Sequence, residues 1–235
     1  MVNGFLRLLY PPKCAFCGKI VENERFAVCD DCLAALPFNL RACSVCGTPL
    51  DTVYGDLLCL SCRKKRRRFK KVYVPLIYKE IVRDGIIGMK FRGKKGRSVT
   101  FAAFIFLKLK EENAPRPDLI TYVPMHFIRL GQRGYNQAYL MAKALGEMMN
   151  VPVVKTLRKI KHTSPQSKLN GRARQENLEG AIKPHQAENF SGKTVLLIDD
   201  VTTTGTSLNV CAKELKAAGA KEIYAATVAA TPFTH

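Results

Sequence analysis

The stretch VLLIDDVTTTGTSL, residues 195 to 208, limits what this chain can fold into more than any other. Val195 to Ile198 are apolar without alternation, so a strand built from them needs apolar cover on both faces. Parallel strands sandwiched between helices meet that need, whereas a sheet with one face in water does not. The flanking sequence alternates accordingly. Strand patterns fall at 72–78, 118–124, 151–157, 193–201 and 222–231. Helical patterns fall between them at 80–90, 98–110 and 132–150. A further helix begins near Gly205, places Leu208, Cys211, Ala212 and Leu215 on one face, and ends at Gly219. Cys211 on that stripe reads as ordinary core. The fold class is α/β, a parallel sheet flanked by helices over residues 72–235.

Ligands of open parallel sheets gather beyond the carboxyl ends of the strands, where Asp199 and Asp200 stand. Thr202, Thr203, Thr204, Gly205, Thr206 and Ser207 follow and lead into the helix. Free amides at that helix start, its dipole and the hydroxyls form a ready anion pocket. Carboxylates beside a phosphate cradle make sense when the ligand also carries sugar hydroxyls, which donate to them. The chain has no G-x-x-x-x-G-K-[ST], so no lysine is aimed at a β- or γ-phosphate. These features together describe a ribose 5-phosphate site.

Eight of the nine cysteines lie in the first 62 residues, always as C-x-x-C. The segment repeats itself: CAFCG…VCDDC returns as CSVCG…LCLSC. One structural zinc is therefore expected on Cys14, Cys17, Cys29 and Cys32, and a second on Cys43, Cys46, Cys59 and Cys62. A cross-braced pairing of the first pair with the third is the alternative. Disulfides fit poorly without a secretion signal, and a redox motif needs no fourth copy. Four thiolates leave no open position on the metal, so these are structural sites. Metal binding is expected to supply much of the folding energy of a segment with few large apolar residues.

The run RKKRRRFKK, 63–71, separates this head from the α/β unit. It reads as a solvated linker or as a phosphate-backbone clamp with Phe69 available to stack on a base. Lys and Arg number 38 against 19 acids, a formal charge of +19 that favours an anionic partner such as nucleic acid. No apolar run approaches the ~20 residues that span a bilayer, and FLRLLY is too short for a signal core, so a cytoplasmic location is expected. The segment 158–180 is polar and without period, as long functional or disordered loops are.

VLLIDDVTTTGTS resembles the PRPP-binding signature of type I phosphoribosyltransferases: four apolar residues, two acids, then T-T-G-x-S/T. VPMHFIRLGQRGYNQAYLMA (123–142) and TSPQSKLNGRARQENLEGAI (163–182) are similar to motifs of the ComF family of competence-associated proteins. The four-pair cysteine head resembles the double zinc ribbon of that family. Tyr135 stands where the family has Phe, and Ile182 where it has an aromatic residue.

The resemblance implies a protein of DNA uptake and natural transformation with a phosphoribosyltransferase domain. Asp199 and Asp200 would hold the ribose hydroxyls of PRPP, and Thr202 to Ser207 would wrap its 5′-phosphate. Pro124, Met125 and His126 would form the diphosphate loop, with Arg129 and Arg133 neutralising charge. Mg²⁺ would arrive with PRPP, its shell completed by water and the aspartates. The 158–180 segment would close over PRPP, bringing Arg174, with Lys168 and Arg172, to the diphosphate. Asp199, Asp200 and Arg174 are thus the expected catalytic residues. Single-stranded DNA is the implied macromolecular partner, with competence or recombination proteins as further ones. A catalytically silent PRPP sensor or DNA-binding adaptor is the other reading. The acceptor is not legible.

Overall fold

The computed structural model describes residues 11–22, 26–50, 57–161, 180–185 and 190–232. Its centre is a parallel sheet of β1 (Val72–Tyr73), β2 (Leu76–Ile77), β3 (Leu119–Tyr122), β6 (Thr194–Thr202) and β7 (Glu222–Ala230). β1 and β2 both lie beside β7, then come β6 and β3. Val195 and Ile198 pair with Ile223 and Ala226 on one side, and with Leu119 and Tyr122 on the other. The helices are α3 (Glu80–Phe91), α4 (Arg97–Glu111), α5 (Phe127–Arg133), α6 (Gln137–Met149) and α7 (Thr206–Ala217).

Successive strand side chains point to opposite faces. Leu196, Ile198, Ala226 and Val228 pack beneath α3, α4 and α6 through Ile86, Phe101, Ile105 and Met141. Val195, Leu197, Ile223 and Ala225 pack beneath α7 through Leu208, Cys211, Ala212 and Leu215. Double burial explains the unbroken apolar runs, and Cys211 is core as expected.

Three sequence expectations need correction. The strand expected over 72–78 is two short pieces, because Pro75 has no N–H for the ladder. The strand expected over 151–157 survives as a short ladder at the edge: Ile120 N–H donates to Pro152 O, and Val154 N–H donates to Ile120 O. The chain then turns away, and β4 (Leu157–Lys159) pairs antiparallel with β5 (Ile182–Pro184). The helix expected over 132–150 is broken. α5 ends at Gly134 in a left-handed turn, and Asn136 starts α6 by accepting from Ala138 N–H at 3.0 Å.

The cysteine head closes the β1/β2 edge. Its short helices α1 (Asp30–Ala34) and α2 (Leu60–Lys64) each follow one cysteine and carry the next. Between the two cysteine groups, Ile77 N–H donates to Pro37 O and Asn39 N–H to Pro75 O, both at 2.8 Å. Asn39 Nδ2 also donates to Gly47 O and Val74 O. An otherwise open strand edge is thereby covered. The first cysteine group packs on the α4 face, with Phe16 centred 5.9 Å from Phe101 and 6.2 Å from Phe104. The second packs on the α7 face with Val72 and Val74. Apolar contact therefore helps to hold the head against the sheet.

The basic run is docked rather than solvated throughout. Arg63 to Arg66 are exposed, but Phe69 is 5% exposed within the α7-face core and offers no stacking surface.

Gly18 and Gly47 hold equivalent places in the repeat, both in left-handed backbone, φ 84° and 69°. A Cβ on Gly18 would meet nothing within 4 Å. One on Gly47 would overlap Val74 and stand 2.8 Å from Val72 O. In urea denaturation Gly18→Ala should cost about 1 kcal/mol, the left-handed penalty alone. Gly47→Ala should cost about 3 kcal/mol, because the new Cβ would overlap the Val74 side chain and crowd the Val72 carbonyl, which is backbone and cannot give way. Equal costs would mean that the second knuckle is not wedged against β1.

Candidate functional site

β3 connects onward through α5 and α6 on one face, and β6 through α7 on the other. Their carboxyl ends therefore diverge into a crevice. A cleft of about 930 Å³ opens there. Pro124, Met125, His126, Arg129, Arg133, Asp199, Asp200 and every residue from Thr202 to Ser207 line it. Arg174, Lys168 and Arg172 lie outside the described residues.

Each part has a local cause. Asp199 and Asp200 are still within β6 but beyond its buried stretch. Thr202 ends the strand, and its carbonyl accepts from Thr231 N–H at 3.0 Å. Gly205, at φ 70°, is the N-cap of α7 and has no side chain with which to cap its first turn. The Thr204 and Thr206 hydroxyls lie 2.7 Å apart at the same turn. Across the cleft, His126 is buried and caps α5, its Nδ1 accepting from Ile128 N–H at 3.4 Å.

The RGYNQA run fastens this side together. Asn136 Nδ2 donates to Val123 O at the end of β3, and Tyr135 Oη donates to Met89 O. Arg133 donates to Gln137 Oε1 at 2.9 Å and lies over Phe91, 4.8 Å from the ring centre.

Two lysines complete the electrostatics, and sequence reasoning missed both. Lys90 Nζ is 2.9 Å from Asp200 Oδ1, with 21% and 15% of the two side chains exposed. Burial works against the Lys90 charge, but Asp200 and then Asp199 outweigh it and hold its pKa above the ordinary lysine value. Asp199 accepts from Asp200 N–H at 2.8 Å, yet burial and the neighbouring Asp200 charge push its pKa up to about 7. Lys159 on β4 is pushed down to about 8 by burial and by Arg129. A signal for Lys90 existed: it falls on the helical stripe of Val82, Ile86 and Met89, where a charge needs a buried partner. Lys159 sits in a polar stretch without period and gave none.

The eight head cysteines form two groups, Cys14, Cys17, Cys29, Cys32 and Cys43, Cys46, Cys59, Cys62. The sulfurs of each group lie within 4.8 Å of one another. This is the sequential pairing, not the cross-brace. Cys17 and Cys29, and Cys46 and Cys59, are 3.6 Å apart at sulfur. That is close to the ~3.8 Å edge of a tetrahedron with ~2.3 Å metal–sulfur bonds, and far beyond a disulfide's ~2.05 Å. The donor set fits zinc. Among the described residues, no helix is long and apolar enough to cross a membrane.

Residues 5–67 match the double zinc ribbon domain, and residues 97–234 match the phosphoribosyl transferase domain. The chain belongs to the ComF family of phosphoribosyl transferase-domain proteins. Competence protein F of Haemophilus influenzae is 28% identical over 217 residues, 90% of this chain and 93% of that one. DNA utilization protein YhgH of Salmonella typhimurium is 26% identical over 224 residues, 92% and 96% of the two chains. Competence protein ComFC of Bacillus subtilis is 25% identical over 196 residues, 79% and 76% of the two. This ComF-family chain therefore pairs the two cysteine groups with a phosphoribosyl transferase fold.

Removing the Lys90 charge leaves two adjacent carboxylates without their nearest cation. Lys90→Met should destabilise the protein by about 3 kcal/mol at pH 8. A carboxyl whose folded pKa is raised loses stability as pH rises through that value, so the variant's deficit should shrink between pH 8 and pH 6 as Asp199 takes up a proton. Urea denaturation of both proteins at the two pH values measures this. A deficit independent of pH would separate Lys90 from the acids.

Proposed function

We propose that the cleft binds PRPP with Mg²⁺ and that the chain transfers ribose 5-phosphate to a nitrogen acceptor. The observation that carries this reading is the pair Asp199–Asp200, delivered by β6 beside the glycine-capped start of α7 and facing Arg129 and Arg133 across one crevice. The carboxylates would accept hydrogen bonds from the ribose hydroxyls, and the amides and hydroxyls of Thr202 to Ser207 would hold the 5′-phosphate. The turn Pro124–His126 and the two arginines would face the diphosphate. The acidic pair offers hard oxygen donors of the kind Mg²⁺ takes, and the bound ion would offset the charge of the departing diphosphate.

In the transfer, an acceptor nitrogen bonds to C1 of ribose as the C1–O bond to diphosphate breaks. The electron pair leaves on diphosphate, and the nitrogen gives up its proton. Charge grows on the diphosphate and cationic character on the ribose, so the work of this chain is electrostatic. Arg129 and Arg133 stand on the leaving-group side, and the acids stand on the ribose side. No covalent nucleophile is required. Arg174, if it reaches the diphosphate, adds to the same compensation.

The proposed organisation is a double zinc ribbon over 1–62, a basic connection over 63–71 and the transferase-like unit over 72–235. Single-stranded DNA is the proposed macromolecular partner. Supporting it are the charge of +19, the exposed cations Arg63 to Arg66, and relatives named for competence and DNA utilization. Phosphate contacts from such a run would make binding salt-dependent. These activities are proposed for a cytoplasmic protein.

Calorimetric titration with Mg²⁺–PRPP tests the site. Asp200→Asn keeps the shape but weakens acceptance from ribose hydroxyls, and affinity should fall roughly tenfold or more. Zinc content should stay at that of the unmodified protein. Unchanged PRPP affinity in this variant would remove the ribose reading of the acids.

A further inference from the structure

Arg67, three residues beyond α2, joins the second cysteine group to the turn at Gly205. Its Nη2 donates to Ser61 Oγ at 2.8 Å, and Ser61 lies between Cys59 and Cys62 on α2. Its Nη1 stands 3.8 Å from the position that a Cβ on Gly205 would take. Thr202 Oγ1 and Phe69 Cζ lie 3.9 Å and 4.0 Å from that same point. The next residue is pinned too: Arg68 N–H donates to Asn209 Oδ1, 2.9 Å away, near the start of α7.

This side chain is half-buried, and its Nε is fully enclosed with no hydrogen-bond partner among the described residues. No carboxylate among the described residues pairs with it. The guanidinium also hydrogen-bonds the sulfur of Cys62, so two residues of the second cysteine group, Ser61 and Cys62, hold its charge beside the turn. The turn it stands beside is the one whose front faces the cleft: Gly205 lines the cleft and Arg67 does not. The positive charge therefore stands behind the first turn of α7 and adds to the helix dipole there.

We propose that Arg67 is a positioning residue for the phosphate end of the cleft: it braces the Thr202–Ser207 turn from behind and holds there a charge that favours a phosphate dianion. The second cysteine group, through Ser61, thereby sets how firmly the cleft grips a phosphorylated ribose. This rests on the ribose 5-phosphate reading of the cleft.

The test uses the full zinc-loaded chain and ribose 5-phosphate as the probe, followed by calorimetry and by ³¹P NMR of the bound phosphate across pH. Arg67→Met should weaken binding about tenfold, the size of one partly screened charge interaction. The bound phosphate should then take up its proton at a higher pH than in the unmodified protein. Arg67→Lys, which keeps the charge, should recover most of both effects. Ser61→Ala, which keeps the arginine but frees it, should lie between. Zinc content and melting temperature report folding; if Arg67→Met fails to fold, the lysine and Ser61 variants decide. An unmodified protein that ignores ribose 5-phosphate would overturn the reading of the cleft itself. If the unmodified protein binds and Arg67→Met matches it in affinity and ³¹P titration, the role of Arg67 alone is refuted. Weakened binding with an unmoved titration and no recovery by lysine would refute it as well.

Discussion

β6 is hydrogen-bonded to β3 on one side and β7 on the other, and helices cover both of its faces. A strand enclosed in this way offers its side chains no water until it passes the ends of the covering helices. Polar groups can be tolerated only at its carboxyl end, and there they are held by a backbone that cannot slip register without moving every apolar side chain to the wrong face. The position of Asp199 and Asp200 follows from this confinement. So does the cleft, since β3 and β6 send their connections to opposite faces and leave space between them.

Confinement also creates an electrostatic problem, because two adjacent carboxylates in a half-enclosed crevice repel each other. The fold answers with cations from separate elements: Lys90 from α3, Arg133 from α5 and Lys159 from β4. None of these is near the acids in sequence. Asp199 remains poorly compensated, which is why its proton is held up to about pH 7. A ligand bringing hydroxyl donors or a hard cation to this pair would supply what the protein leaves incomplete. What the crevice itself offers is electrostatic, a pair of acids among cations, rather than a reactive side chain.

The parts legible in the sequence are those fixed by neighbours along the chain. The β6–turn–α7 unit was legible because an unbroken apolar run, two acids and an apolar stripe at helical spacing each act over a few residues. The cysteine groups were legible because C-x-x-C spacing and a repeat restrict pairing. Elsewhere tertiary context prevailed. The 132–150 stretch has helical periodicity, yet Asn136 must reach Val123 O, so the chain breaks at Gly134. The 151–157 stretch has strand composition, yet it lies at the sheet edge with Pro152 in it, and only a short ladder forms. Lys90 left a trace only in its place on the apolar stripe of α3, and Lys159 came to the site through packing between elements, which no local pattern records.

The head shows the same principle from the other direction: a sequence repeat does not make two equivalent parts. The two cysteine groups are near copies, but they straddle the edge of a sheet whose faces differ. The first meets the phenylalanines of α4, and its Gly18 has open space around it. The second meets β1 so closely that Gly47 cannot carry a side chain, and the chain leaving it runs onto the start of α7. Two knuckles joined by residues 37–39 are needed to close one strand edge, because a single knuckle would leave one face of it bare. Once the pair is seated, only the second copy lies on the face where α7 begins. The asymmetry of the sheet, not any difference in the cysteine spacing, puts one cysteine group within reach of the Thr202–Ser207 turn and keeps the other away.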